Sequence, residues 1–161
     1  MFLKTSPLDK NQSGISMIES LVSLLIISIG LLGIAALQMS SLKQTSSAHW
    51  HGQAVWSSYA MTDRISANNP TFFNNYNGFD TNNSYSMDCN SAACNPGDMA
   101  KADAADWKIQ VEKLPDGRGL ISSVNGANTL DITVMWLDPA GEKNCGALDA
   151  NRTCFTVTLR Q

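Results

Sequence analysis

The chain has 161 residues, 14 acidic against 11 basic side chains, a net charge of −3 and 43% hydrophobic residues. That length leaves room for one modest domain beside an anchor. The acidic balance makes a poor non-specific partner for nucleic acid, where affinity rests on neutralising phosphates. With two histidines, no glycine-rich phosphate loop and no supported Ser-His-Asp set, the sequence offers no catalytic, metal or cofactor-binding constellation.

A short leader carrying Lys4, Asp9 and Lys10 runs into Gly14-Ile15-Ser16-Met17-Ile18-Glu19, and a long apolar stretch follows. A secretory signal would place its cleavage site after the apolar stretch; here a glycine precedes it, and no A-x-A site follows Leu37. Glu19 is the anomaly, because a charge in hydrocarbon costs about 2.5–3.5 kcal/mol on insertion scales and needs a partner or a task. The pattern resembles the processing site of class III signal peptides in type IV prepilins. The resemblance implies cleavage by a prepilin peptidase between Gly14 and Ile15, N-methylation of Ile15, and an assembly role for Glu19. Ile15 stands where the family usually has Phe, and keeps that position apolar. Removal of residues 1–14 would take away Lys4, Lys10 and Asp9 and shift the net charge from −3 to −4.

Leu21 to Leu37 carries no charge. With residues 15–20 in front, it is long enough to cross a hydrocarbon core, which needs about 20 residues. The basic leader predicts a cytoplasmic N-terminus. The expected organisation is a leader at 1–14, a transmembrane and assembly half-helix at 15–39, and a periplasmic domain at 40–161. Gly30 and Gly33, one turn apart, suit close helix approach or local loosening.

No proline interrupts residues 40–68, and Trp50, Ala54, Met61 and Ile65 recur on one helical face. Asn68-Asn69-Pro70 is a stop. One helix is therefore predicted from Ile15 to about Ala67, ~80 Å long at 1.5 Å per residue. His49 and His51 do not share a helical face, which disfavours joint metal ligation; both read as surface or interface residues.

Residues 70–98 form an Asn-, Ser- and Gly-rich tract with Phe72, Phe73, Tyr76 and Phe79 interleaved, so part of it should pack down. Asp80-Thr81-Asn82-Asn83-Ser84 lacks the glycine and closing glutamate of a calcium loop and reads as a solvated turn. A second, short helix is predicted between Asp98 as N-cap and the Pro115-Asp116-Gly117 stop. Strands follow at 119–124, 129–137 and 153–160, with Asn125-Gly126 as a hairpin signal and Asp138-Pro139-Ala140-Gly141 as a turn. The result is an α+β chain: a long N-terminal helix covering a three- to four-stranded antiparallel sheet.

Cys89, Cys94, Cys145 and Cys154 all lie beyond the membrane segment. An even count in an oxidising compartment predicts two disulfides. Of three connectivities, the local loops Cys89–Cys94 and Cys145–Cys154 are expected, since each pair spans a turn-rich stretch. The spacings, without a nearby histidine, fit zinc poorly.

Taken along the chain, GISMIESLVSLLIISIGLLGIAALQ, the CNSAAC loop followed by Asp-Met-Ala, the Trp107 segment ending in LPDGRG and the terminal strands resemble minor pilins of the PilV type. That resemblance implies the type IV pilin fold and a structural role. It implies co-assembly with other minor pilins and the major pilin, contact with the inner-membrane assembly platform, and membrane lipid as surroundings before assembly. Motility and adhesion would be the supported processes. A minor pseudopilin of type II secretion shares the motif and architecture. A DNA-uptake pilin is the other alternative, with Lys143, Arg152 and Arg160 as a small basic spot.

Overall fold

The computed structural model describes residues 16–68, 74–89, 93–124 and 129–160. Helix α1 runs Met17–Ala67 and helix α2 Pro96–Val111; strands β1, Arg118–Ser123, β2, Thr129–Trp136, and β3, Thr153–Arg160, form one antiparallel sheet in the order β1-β2-β3. This is the expected α+β, pilin-like arrangement, with three strands among the described residues. The Asn125-Gly126 turn, Phe72 and Phe73 lie outside the described residues. The chain divides into two units, Met1–Ser41 and Leu42–Gln161, and α1 contributes to both.

In the second unit α1 buries Ala54, Ser57, Ser58, Met61 and Ile65, with Trp50 half-buried beside them. Burying an apolar side chain of this size contributes roughly 1.5–3 kcal/mol. The Ser58 hydroxyl donates to Ala54 O four residues back, so a hydroxyl can sit in that stripe without an unmet donor. From the sheet come Ile121, Leu130, Ile132, Val134 and Trp136, and from α2 Ala100, Trp107 and Val111.

Helix α2 starts earlier than Asp98. The cap is Asn95: its side chain accepts from Asp98 N at 2.9 Å, and Pro96 takes a first-turn position where its missing N–H costs nothing. Trp107 Nε1 donates to Ser57 O at 3.1 Å and ties α2 to α1. Gly119 is required by close approach, because a Cβ there would sit 2.5 Å from the Trp107 ring.

On β2 the alternation predicted Leu130, Ile132, Val134 and Trp136 inward, and all four are buried. Thr133 and Met135, expected on the open face, are buried as well. They are flanked by their register partners Leu120, Thr156, Arg118 and Cys154, and the Thr133 and Thr156 hydroxyls lie 2.9 Å apart. The turn after β2 closes with Gly141 N donating to Asp138 O, and Gly141 takes φ +87°, a conformation that glycine adopts without strain.

The two edges of the sheet differ. Segment 77–81 lies along β1: Gly78 N donates to Ile121 O, Ile121 N to Phe79 O, Thr81 N to Gly119 O, and Gly119 N to Thr81 Oγ1. At the start of β3, Asn144 and Cys145 donate to Arg152 O, and Cys154 N donates to Asn144 Oδ1.

Candidate functional site

The first unit presents a helix with no core of its own. From Met17 to Ser41 every residue is exposed, including Ile18, Leu21, Leu25, Ile29, Leu32 and Leu37. α1 is long and apolar enough here to cross a membrane. An all-round apolar helix needs an apolar surrounding.

Such surroundings demand that polar atoms be satisfied within the segment. Ser23 Oγ donates to Glu19 O at 2.8 Å and Ser28 Oγ to Leu24 O at 2.7 Å, so these hydroxyls are internally paired. Ser16 O accepts from Glu19 N and Ser20 N and opens the helix. Glu19 sits in the first turn, where unpaired N–H groups favour negative charge. It is the only charged residue between 16 and 42. Among the described residues its carboxylate has no hydrogen-bond or ion-pair partner. The helix therefore carries one isolated acceptor, aimed outward at its N-terminal end, able to take a cation or a protonated amine. Gly14 and Ile15 lie outside the described residues.

Residues 9–35 match the family model of the prokaryotic N-terminal methylation motif. The matched span includes Gly14, Ile15 and Glu19. The chain thus carries the N-terminal signature of class III prepilins, and the signature together with the α+β fold supports a type IV pilin-like protein. The motif implies processing by a prepilin peptidase and assembly with other pilins, and with the apolar helix it fits a membrane-anchored pilin. No curated protein and no solved structure matches the chain.

In the second unit Cys89 is bonded to Cys94 and Cys145 to Cys154, with Cα separations of 5.5 and 5.3 Å. All four sulfurs are consumed, leaving no thiolate for a metal. His51 sets its ring edge-on to Trp136 and Phe155, and His49 packs against Trp50. The basic spot is largely neutralised: Arg152 pairs with Asp116 at 2.5 Å and Asp149 at 3.7 Å.

Sequence reasoning missed two polar clusters. Asp80, read as part of a solvated turn, accepts from Arg118 Nε and Nη2 at 3.1 and 2.6 Å. Those bonds hold its carboxyl below the ordinary range. Tyr76, Asp103, Arg64 and Asn68 form the other: Tyr76 Oη donates to Asp103 at 2.7 Å, Asn68 donates to Tyr76, and Arg64 reaches both Asp103 and Asp106. Burial and the Asp103 bond push the Tyr76 phenol up. Burial opposes the Arg64 charge, but hydrogen bonds to Asp106 and Asp103 outweigh it and raise the guanidinium. No spacing in the sequence announces either cluster, since the partners lie 27 to 42 positions apart.

Proposed function

We propose that this chain is a minor pilin of the PilV type that co-assembles in type IV pili, in the initiating or tip complex, and supports pilus biogenesis, twitching motility and adhesion. Prepilin peptidase cuts between Gly14 and Ile15 and methylates Ile15. Residues 15–39 hold the chain in the inner membrane, with the domain from residue 40 in the periplasm, until the assembly platform passes it into the fibre beside other minor pilins and the major pilin. The observation that carries this reading is Glu19: a lone carboxylate on a helix whose neighbouring Ser23 and Ser28 hydroxyls are already bonded. An isolated charge in hydrocarbon seeks a partner on another chain. The methylated amine at the start of a neighbouring processed subunit supplies the opposite charge, and their pairing sets axial register.

Glu19→Ala should insert and be cleaved as wild type yet be missing from sheared pili. Its presence there at wild-type level overturns the assembly role. Gly14→Val should leave an uncut precursor in the membrane, read by N-terminal mass analysis. A knockout that blocks export of a folded enzyme while sparing pili would assign the chain to a secretion pseudopilus instead.

A further inference from the structure

β3 ends the sheet as an incompletely covered edge. Cys154 N and Arg152 O bond to the 144–145 segment, so even-numbered residues of β3 turn their backbone groups away from β2. By the two-residue alternation Thr156, Thr158 and Arg160 do the same. Among the described residues nothing pairs with those outward N–H and C=O groups. The usual protections are missing as well: between Thr153 and Leu159 there is no proline, no charge and no bulge, and β3 stays in continuous register with β2.

The side chains beside that edge are also under-covered. Phe155, Val157 and Leu159 point to the core side, yet all three are only half-buried. Next to them Tyr59 of α1, its ring 6.4 Å from Phe155, is 53% exposed, and Trp56 one turn earlier is 59% exposed. A row of free backbone groups flanked by an apolar strip matches one kind of ligand: an extended strand with apolar residues at alternate positions.

We propose that β3 accepts a β-strand from a different pilin-type subunit as the fourth strand of this sheet. This rests on the proposed function, because the argument against a second copy uses the common anchor. Antiparallel β3–β3 pairing in one continuous sheet needs a two-fold axis normal to it, which reverses the α1 stretch packed on that sheet. Two copies entering from one membrane cannot meet that way. Parallel pairing needs an axis along the strands and puts the two apolar faces on opposite sides. Head-to-tail pairing fails too, because segment 77–81 already occupies β1.

The test uses the full chain in piliated cells. Thr158→Pro deletes an outward N–H while leaving the β2 ladder intact. Thr158→Val keeps that N–H and removes only the hydroxyl bonded to Asp131. The proline variant should be processed normally and fall about tenfold or more in sheared pili, the valine variant remaining near wild type. A photo-crosslinking residue at position 156 should join to a strand peptide of another pilin-type chain, identified by mass spectrometry. Wild-type incorporation of Thr158→Pro overturns the proposal. So does crosslinking only to a second copy of this chain, or to nothing. If position 156 captures such a strand while the wild-type chain is missing from pili, the pilus reading fails and the edge contact stands.

Discussion

From Met17 to Ser41, α1 exposes every side chain, apolar or not; from Leu42 to Ala67 the same helix sorts them, burying Ala54, Ser57, Ser58, Met61 and Ile65 and leaving Asp63 and Ser66 outside. Backbone geometry is common to both halves. What differs is the solvent each sequence presupposes. The first half has no stripe because hydrocarbon surrounds a membrane helix on all sides, so any face serves. The second half needs a stripe because only one side meets the sheet. The cost of a polar group follows the same division: Ser58 is tolerated in the buried stripe through a bond to its own helix, whereas Glu19 has no such recourse.

The sharpest way to break this comparison is to make one truncation in each half. Met61→Ala should lower the unfolding free energy of the full chain in detergent by about 2–5 kcal/mol, through lost burial and a residual cavity. Leu25→Ala should leave the same transition unchanged within about 0.5 kcal/mol, because Leu25 has no protein core to leave. Tryptophan fluorescence during denaturation, reporting on the buried Trp107 and Trp136, measures both. Equal losses at the two positions would mean that the first half is folded into a protein core after all.

A charge probes the reverse direction. Leu25→Lys should cost about 2.5–3.5 kcal/mol of membrane insertion, read from the glycosylated or protease-protected fraction, with the globular unit's unfolding unaffected. Insertion at wild-type efficiency would remove the hydrocarbon from the account.

The smallest effect concerns the second unit's own polar cover. Asp80 has its folded pKa held below the ordinary value near 3.8 by the hydrogen bonds from Arg118. Its contribution is therefore present above that ordinary value and lost as pH falls through the depressed folded value. Asp80→Asn should cost about 2 kcal/mol at neutral pH and flatten the acid limb of the stability curve, shown by denaturation at pH 7 and pH 3. An unchanged acid limb would mean that segment 77–81 holds β1 through its backbone bonds alone.

Much of this protein was legible in its sequence. Local periodicity announced both halves of α1, the alternation of β2 and β3, and the carboxylate at Glu19, because each signal is carried by residues a few positions apart. The start of α2 was misplaced because Asp98 is itself a good capping residue; Asn95 wins by letting Pro96 fill the first turn. Burial of Thr133 and Met135, the Asp80–Arg118 pair and the Tyr76–Asp103–Arg64 cluster were decided by the tertiary structure alone. So was the contrast between a covered β1 edge and an open β3 edge. Those features depend on which distant segments the chain closure brings together, and spacing along the sequence carries no record of that.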